Sequence, residues 1–395
     1  MQTRIAIISN SVTPYRIHLH RRIVQECPDL ELWSIFTHQF SNAPWQLGVP
    51  DEIRPVFFGD GEASEQQGFA TAPLHELRKG RRIARLLTEH AIQFVILFGY
   101  NDWCRLYLIR WCRSHNIPCF IFGDSNARAD SKQGGGMRVK SVILPRILSM
   151  ASGAMHCGRV GAEYFRSYRV PEDRLFAFPY EPDYNLVAGV SPSRRDRALG
   201  ALQLAPGRRR ILYAGRLAAV KRVDLLLSAF QRIADERSEW DLVIAGDGVT
   251  RPELLKQVES RLEHRIRFLG FINDPEELAA LYAACDILVL PSDFEPWGVV
   301  VTEAATRLAL ICSSQVGAAY DLVEDHRNGR MFRSGDSDQL AEALCEVSSP
   351  GNIDRMKSES PLVLAAWRSR TDPVVGLRRA MHSVGVPWPG TWQPN

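Results

Sequence analysis

The sequence predicts an α/β protein made of two Rossmann-like domains that face each other across a cleft. The chain has 395 residues, which suits two domains of roughly 150–200 residues each. Apolar runs alternate with helical patterns through both halves of the chain. The runs are continuous, as in parallel strands that are buried on both faces. Strand–helix alternation of this kind predicts right-handed, doubly wound sheets.

The first domain is predicted over residues 1–187. Helical patterns such as those at 81–91 and 103–114 separate its apolar runs. The candidate strands lie at 4–9, 30–37, 94–99, 119–124, 153–158 and 175–180. We expect one parallel sheet here, with helices on its faces.

A change in composition marks the boundary between the two halves. Residues 188–207 are rich in Gly, Pro, Ser and Arg, which predicts a linker. The alternation of strands and helices resumes over 208–365, the predicted second domain. Residues 366–395 are predicted to form a C-terminal helix and tail that packs back on the first domain. The strands and helices of the second domain are expected at 211–215, 223–236, 241–246, 252–263, 266–271, 275–284, 286–291, 298–307 and 308–314.

Charge and composition limit the partners. A net charge of +3 gives no reason to expect a nucleic-acid partner. The eight cysteines form no C-x-x-C pair, which is typical of buried thiols in a reduced, cytosolic compartment. No stretch reaches the ~18 apolar residues of a membrane-spanning helix, and the N-terminus lacks the apolar region of a signal peptide. The sequence therefore predicts a cytoplasmic protein.

Lys and Arg mix with apolar residues in two stretches, 76–82 and 134–148. Such stretches could touch an anionic membrane surface or a lipid-linked acceptor. The alternative for both is a solvated helix face. Any contact with the inner face of a membrane is thus expected to be peripheral.

The most informative segment is 291–304, PSDFEPWGVVVTEA. A buried strand ends at Pro291, Glu295 follows in the loop, and Gly298 opens a helix that carries Glu303. Backbone N–H groups at a helix N-terminus bind phosphate, and Gly298 lets a ligand approach because it has no Cβ. Glu295 and Glu303 flank this position and could hold sugar and ribose hydroxyls. The alternative is that both are solvated surface carboxylates.

A second strand end carries two cations. In ILYAGRLAAVKRVD (211–224), Arg216 and Lys221 follow a strand that ends at Gly215. Two cations at this place could neutralise a diphosphate, and Arg can do so with two hydrogen bonds. Surface cations are the alternative, but cations near a helix start oppose its dipole, which favours a functional reason.

Two further strand ends carry glycines. Gly246 and Gly248 in AGDG permit a tight turn and close approach of a ligand, with an ordinary turn as the alternative. FLGF (268–271) ends the next strand in the same way. Phe271 is therefore expected beside the two glycines.

In order and spacing, these strand ends resemble the donor-binding domain of glycosyltransferase family 4, the retaining enzymes of the GT-B fold. The resemblance covers residues 208–345. Glu295 and Glu303 supply the family's E-x7-E motif, and 315–332 is similar to the segment that follows it. Residues 306–311 depart from the family, which usually has a small pair such as Cys-Gly there.

The resemblance implies a transferase that binds a nucleotide-sugar donor in the second domain and a glycan or lipid-linked acceptor in the first. Arg216 and Lys221 would bind the donor diphosphate as the glycosidic bond breaks. Glu295 would hydrogen-bond the sugar hydroxyls, and Glu303 would bind the ribose diol. Backbone groups would be offered to the sugar or phosphate by Trp297, Gly298 and Val299.

The first half resembles the family less closely. Residues 9–20 are similar to the first-strand loop of members with a T-P-Y-R element, and Arg16 faces either the cleft or a helix surface. In FGDSNAR (122–128), Asp124 and Asn126 stand where many members carry a catalytic-site His or carboxylate. Both are candidates for contacting the acceptor or the transferred sugar, and Asp124 is the expected catalytic residue of this half.

A possible metal motif is DSD (336–338), which resembles the D-x-D of other glycosyltransferases. Its position just before a helix predicts that Asp338 caps the helix instead. Clustered Cys and His ligands of the zinc type are also missing from the sequence. We therefore expect neither a metal nor another cofactor, the nucleotide sugar being a substrate.

Three functions fit these residues. The leading one is a retaining glycosyltransferase of polysaccharide or glycoconjugate biosynthesis. The second is a nucleotide-sugar 2-epimerase of the same fold, but no acid/base cluster for the sugar C2 stands out. The third is a non-catalytic nucleotide-sugar-binding protein, against which the joint presence of Arg216, Lys221, Glu295 and Glu303 argues.

Overall fold

The computed structural model describes residues 2–41, 45, 47–64, 67–70, 72–126 and 137–388, with the backbone alone for 137–139. It divides into two compact units. The first comprises Met1–Pro182 and Thr371–Asn395, and the second Asp183–Arg370. None of the described helices is long and apolar enough to cross a bilayer.

A parallel sheet of seven strands forms the centre of the first unit. The strands are β1 (Thr3–Ser9), β2 (Leu30–Phe36), β3 (Pro55–Phe57), β4 (Phe94–Phe98), β5 (Cys119–Gly123), β6 (Gly153–His156) and β7 (Leu175–Ala177). Their order is β3-β2-β1-β4-β5-β6-β7, and Ile5 of β1 pairs with Leu32 of β2 and with Phe94 of β4. Because the chain turns back from β3 to β4, the β1–β4 boundary is the topological switch point of this sheet.

Helices connect these strands. The described ones are α1 (Pro14–Glu26), α2 (Pro73–Glu89), α3 (Trp103–Ser114), α4 (Met137–Leu148) and α5 (Gly158–Ser167). Proline at the start of α1 and α2 suits the first helical turn, where its missing N–H costs nothing. The Asp102 side chain caps α3 by accepting a hydrogen bond from the Arg105 backbone N–H.

The second unit repeats this architecture with six parallel strands. They are β8 (Arg209–Ala214), β9 (Trp240–Ala245), β10 (Ile266–Gly270), β11 (Ile287–Leu290), β12 (Ala309–Ser313) and β13 (Gly329–Phe332). Their order is β10-β9-β8-β11-β12-β13, which places the switch point between β8 and β11. The helices are α6 (Tyr184–Ala188), α7 (Pro192–Ala201), α8 (Val223–Ile233), α9 (Arg251–Lys256), α10 (Pro275–Ala284), α11 (Val299–Ala304), α12 (Ala319–Leu322), α13 (Ser337–Val347) and α14 (Ile353–Thr371).

The central strands of both sheets are buried on both faces. Every residue of β4, β9, β11 and β12 is buried. This is the reason for the continuous apolar runs in the sequence, because a strand covered on both sides has no solvent-facing side for polar residues. The two sheets confirm the predicted pair of Rossmann-like domains.

The last helix of the chain belongs to the first unit. It is α15 (Pro373–Ser383), and Asp372 caps it through the backbone N–H groups of Val374 and Val375. A Cβ at Gly376 would lie 1.7 Å from the carbonyl oxygen of Ala177, so only glycine permits this contact with β7. Arg22 of α1 pairs with Asp372 and also with Glu181.

Half of the segment predicted as a linker, 188–207, is helical, because it contains α7. Ser191 caps this helix and Pro192 stands in its first turn, a helix start that the Gly, Pro and Ser content obscured. Arg194 pairs with Glu276 of α10, within the second unit. Of the expected C-terminal segment 366–395, Thr371 onward clusters with the first unit and 389–395 lie outside the described residues.

Several element boundaries also differ. The strand expected at 175–180 ends at Ala177, and the helix expected at 252–263 is α9 followed by a separate 3-10 turn at Ser260–Leu262. The short strands β3 and β13 were not expected, since each has only three or four residues. Pro55 begins β3, which is tolerated because β3 lies at the edge of the sheet.

Candidate functional site

The switch point of the second sheet brings two of the predicted residues together. The loop after β8 and the loop after β11 are joined by a hydrogen bond from the Asp293 N–H to the Val220 carbonyl (2.8 Å). This contact places Lys221 beside Glu295, and their side chains form an ion pair with only 14% and 17% of their surfaces exposed. A largely desolvated pair of opposite charges at the carboxyl edge of a parallel sheet is the central feature of this unit.

Arg222 holds the loop that carries Lys221. Its backbone is left-handed (φ 52°), and its guanidinium donates to Asp224 and to Asp293 (3.1 Å for the latter). Asp293 in turn accepts a hydrogen bond from the Ser334 hydroxyl. No pattern in the sequence indicated the contacts among Arg222, Asp293 and Ser334, because these three residues lie in separate loops after β8, β11 and β13.

The loop that carries Glu295 is fixed to the loop after β12. The Glu295 N–H donates to the Gln315 carbonyl (3.2 Å), and the Glu295 carbonyl accepts from the Gly317 N–H (3.0 Å). The Trp297 carbonyl accepts from the Ala318 N–H (2.8 Å). These three bonds fix the backbone on both sides of the Glu295 side chain, and one of them engages the Trp297 carbonyl.

Trp297 and Gly298 act through packing. The Trp297 side chain is 1% exposed and stacks on Trp367 at a centroid distance of 5.6 Å. Gly298 has φ 97°, and a Cβ there would lie 3.2 Å from both Glu295 Cγ and Leu290 Cδ2. Glycine is therefore required for the conformation of the loop, and Val299 begins α11, whose first N–H groups have no partner within the helix.

Glu303 lies within α11 and has a partner that the sequence did not indicate. The Tyr282 hydroxyl of α10 donates to Glu303 Oε2 (2.7 Å). Burial raises the pKa of Glu303 to about 7, and the hydrogen bond from Tyr282 opposes this rise. Tyr282 could have been found as a tyrosine on the buried face of a predicted helix. A buried hydroxyl needs a hydrogen-bond partner, and this need would have pointed to a polar group nearby.

The glycines of the strand ends serve contact between loops. A Cβ at Gly246 would lie 1.8 Å from the Gly215 carbonyl oxygen, and one at Gly248 would lie 2.3 Å from that of Leu217. The Leu217 N–H donates to the Asp247 carbonyl (2.8 Å), which joins the two loops. A tight turn and close approach of a ligand were expected of these glycines. The structure shows close approach of backbone, and the approach of a ligand stays a prediction.

The remaining predicted residues of the second unit lie at the same edge. Arg216 is exposed, and its carbonyl accepts a hydrogen bond from the Tyr213 hydroxyl (2.7 Å). Phe271 directly follows β10 and is partly exposed. Both therefore follow strand ends of the sheet that carries Lys221.

Asp124 belongs to the first unit and follows β5. It accepts a hydrogen bond from the Tyr180 hydroxyl (3.2 Å), and Tyr180 packs against Tyr15 at 4.7 Å. Arg16 is not on an exposed helix surface: it is 6% exposed, donates to the Ser11 carbonyl and lies over the Phe98 ring. Asn126 is 2% exposed, and the last two residues of 122–128 lie outside the described part of the chain.

Two groups of side chains in the described residues have the spacing of metal ligands, both in the first unit. They are Glu62 with His75 and Glu76, and Glu76 with Asp102 and Cys104. The Lys79 ammonium pairs with both carboxylates of the first group. A cation of the protein itself therefore balances their negative charge. In the second group, burial raises the pKa of the Cys104 thiol well above its usual value. The expected absence of a metal stays a prediction.

The role expected of Asp338 is wrong. Asp336 caps α13, accepting a hydrogen bond from the Gln339 N–H (3.0 Å). Asp338 is exposed and pairs with Arg232 (2.6 Å). The cap lies two residues earlier than expected because α13 begins at Ser337.

The sequence of the second unit matches a known family. Residues 208–349 fit the model of the family described as glycosyl transferases group 1. An uncharacterised glycosyltransferase of Methanocaldococcus jannaschii is 32% identical over 46% of this chain and 47% of its own length. The alpha-D-kanosaminyltransferase of Streptomyces kanamyceticus is 27% identical over 58% of this chain and 60% of its own. The chain thus spans about half to three fifths of these relatives.

Solved structures share the fold of the whole chain. The sucrose-phosphate synthase of Thermosynechococcus elongatus covers 96% of this chain and 99% of its own, with a TM-score of 0.75 and 18% identity. The Anabaena protein HepE, solved in complex with UDP and glucose, covers 97% of this chain and 99% of its own, with a TM-score of 0.70 and 17% identity. The two sheets and the solved structures give the chain the GT-B fold, and residues 208–349 resemble the glycosyl transferases of group 1.

Proposed function

We propose that this protein is a retaining glycosyltransferase that moves a sugar from a nucleotide-sugar donor to a glycan, lipid-linked or small-molecule acceptor. The product would belong to polysaccharide or glycoconjugate biosynthesis. The observation that carries the proposal is the Lys221–Glu295 pair at the switch point of the unit whose sequence matches the family. HepE, which shares the fold, was solved with UDP and glucose.

In this proposal the cations act on the leaving group. Lys221 and the exposed Arg216 follow β8, where they bind the diphosphate and stabilise the charge that grows as the glycosidic bond breaks. The N–H of Val299, the first residue of α11, adds a donor, whereas the Val301 N–H already donates to the Gly298 carbonyl (3.0 Å). Because these groups can supply the positive charge, the donor binds without a metal ion.

The two carboxylates bind hydroxyl groups of the donor. Glu295 is oriented by its loop and by Lys221, so it accepts hydrogen bonds from the sugar hydroxyls when the diphosphate draws Lys221 away. Glu303 accepts from the ribose diol, with Tyr282 fixing the position of its carboxyl group. Retention is tested by NMR of the product: an anomeric configuration equal to that of the donor supports it, and inversion contradicts it.

Donor binding is expected to depend on pH through Glu303. A carboxylate accepts two hydroxyl hydrogen bonds, so the ionised form binds the ribose diol. With a pKa of about 7 in the free protein, binding is strong above pH 7 and is lost as the pH falls through 7. Isothermal titration with a nucleotide sugar, whose diphosphate does not titrate in this range, should give a Kd roughly tenfold higher at pH 6 than at pH 8.

The matched control for this prediction is Glu303→Gln, which cannot ionise. Its Kd is expected to be high and nearly the same at both values of pH. A wild-type Kd that is constant from pH 6 to pH 8 would contradict the role of Glu303.

We also propose that the protein works at the inner face of a membrane, through α2. Arg78, Arg81 and Arg85 are exposed along one side of this helix, and Leu74, 71% exposed, extends the row by one turn. None of the ion pairs among the described residues involves these three arginines. Lys79, also in the stretch 76–82, is buried and paired with Glu76, so it takes no part.

This contact is tested by sedimentation with vesicles. The triple change Arg78→Gln, Arg81→Gln and Arg85→Gln is expected to weaken binding to vesicles of anionic lipid by more than tenfold, because each basic residue near such a surface contributes about 1 kcal/mol. The change Arg113→Gln on α3, also exposed, is the control and should have little effect. Equal binding of the wild type and the triple variant would contradict the membrane contact and would show that this side of α2 faces solvent.

A further inference from the structure

The second unit contains a surface cavity with a volume of about 580 Å³. Sites for small molecules have volumes of roughly 300–1,000 Å³. The cavity lies between the loop after β8, the beginning of α8 and one face of α9. Arg216, Lys221, Glu295 and Glu303 do not line it. It is therefore separate from the site proposed for the donor.

One wall of the cavity is a face of α9. Thr250, Glu253, Leu254 and Gln257 follow one another at the spacing that places side chains on the same side of a helix. Leu254 is buried, whereas Glu253 and Gln257 are exposed. Neither of these two exposed side chains makes a hydrogen bond or an ion pair with another residue that the structure describes. A carboxylate and an amide are thus available to a ligand on this wall.

The other wall carries the contacts that hold two loops of the donor site. Arg222 lines the cavity, and its guanidinium is shared between Asp224 (3.2 Å) and Asp293 (3.1 Å). Val220 also lines it, and its carbonyl accepts a hydrogen bond from the Asp293 N–H (2.8 Å). The loops after β8 and β11, which supply the ion pair of the donor site, therefore meet at this wall.

Negative charge is in excess in the lining. The carboxylates of Asp224, Glu253 and Asp293 are accompanied by a single cation, Arg222, which leaves two negative charges unbalanced. In the described part of the chain, these carboxylates do not form a group with the spacing of metal ligands. A phosphate or another anion would be repelled. The lining therefore favours an organic cation that carries more than one charge along its length.

Apolar side chains contribute much of the remaining lining, among them Ala218, Val220, Val223 and Leu254. A methylene chain can pack on such groups while its charged ends meet carboxylates, as the stem of a lysine does on protein surfaces. Ammonium groups joined by methylene chains are the structure of a polyamine. We propose that this cavity binds a small polyamine, and that its occupancy strengthens the binding of the donor.

The link to the donor follows from the shared wall. Arg222 is the cation that joins Asp224 to Asp293. An ammonium group of the ligand adds a second cation there and holds the two loops in the arrangement that pairs Lys221 with Glu295. Loops that are already ordered cost less to immobilise when the donor binds, and the donor strengthens amine binding by the same factor. This effect rests on the proposed transferase function, whereas the cavity site does not.

Calorimetric titration with spermidine tests the site without any donor. Wild type is expected to bind one equivalent, and the neutral diol of the same chain length is expected not to bind. Gln257→Trp brings a large ring into the cavity from an exposed position, so it should weaken spermidine binding about tenfold or more. Glu253→Gln removes one exposed charge and should weaken binding by up to about fivefold. The matched control is Glu263→Gln, an exposed carboxylate of the same unit outside the lining, which should leave the Kd unchanged.

A second titration measures the effect on the donor. With spermidine at saturation, the Kd of the nucleotide sugar that binds is expected to fall about fivefold or more in wild type. Polyamines also associate with the phosphates of free nucleotides. The same titration of Gln257→Trp therefore measures the change that does not come from the cavity, and this change is expected to be small.

Each titration decides one statement. The absence of saturable spermidine binding, or binding that Gln257→Trp and Glu253→Gln both leave unchanged, overturns the cavity site. A donor Kd that spermidine changes equally in wild type and in Gln257→Trp overturns the link to the donor. Failure of every nucleotide sugar to bind overturns the proposed function, and the titration with spermidine alone still decides whether the cavity binds amines.

Discussion

Replacing Lys221 by Met is expected to lower kcat/KM for glycosyl transfer by about 10²–10³-fold, the usual effect of losing one group that stabilises charge in a transition state. Methionine keeps most of the side-chain volume, so the fold is expected to remain. The loss should appear in kcat more than in KM, because the cation acts most strongly when the diphosphate leaves. Steady-state release of the nucleoside diphosphate measures both constants.

A double-mutant cycle separates catalysis from the ion pair. In the free protein Lys221 and Glu295 are paired and mostly buried, so Lys221→Met leaves a carboxylate without its partner. The variants Lys221→Met, Glu295→Gln and the double change should therefore show non-additive free energies of unfolding, by about 0.5–3 kcal/mol. Wild-type kcat in Lys221→Met with donor bound would contradict the role of Lys221 at the leaving group.

Replacing Gly298 by Val is expected to remove most activity and also to destabilise the second unit. A β-branched residue at φ 97° costs about 1–3 kcal/mol in backbone strain. Its Cβ also meets Glu295 Cγ and Leu290 Cδ2 at 3.2 Å, which adds about 1–3 kcal/mol of overpacking. Because the contact is with Glu295 itself, the carboxylate must move away from the position that its loop gives it.

The control for this change is Gly207→Val. Gly207 has φ 75°, and a Cβ at this position would have no atom within 4 Å, so the variant carries the strain without the contact. Chemical denaturation should show a smaller loss for Gly207→Val, and its transfer rate should equal that of wild type. Equal activity in Gly298→Val and Gly207→Val would show that Gly298 does not position Glu295.

The fold could be predicted because its main signal is local. Strands such as β4 and β9 are covered on both faces, and strands buried in this way have continuous apolar runs that can be recognised in the sequence. The helix α7 was missed because its start signals, Ser191 and Pro192, are also the residues of a linker. The edge strands β3 and β13 were missed because only pairing with a neighbour makes such short segments strands.

The candidate site could be predicted in part. Arg216, Lys221, Glu295 and Glu303 follow strand ends in the order that parallel sheets bring together. The residues that hold Glu303 and the loop of Lys221, Tyr282 and Asp293 respectively, come from distant segments and leave no spacing in the sequence. The contacts of the glycines in AGDG could not be predicted for the same reason, because their close neighbour is the backbone of another loop.

The most direct test of the central claim is calorimetric titration of the protein with UDP-, GDP-, dTDP- and ADP-sugars in the presence of EDTA, for wild type and Lys221→Met. We expect wild type to bind the sugars of one nucleotide without a metal, and Lys221→Met to bind the same donor at least tenfold more weakly. Binding that requires a divalent metal, or that is unchanged in Lys221→Met, would contradict the claim that Lys221 holds the donor diphosphate.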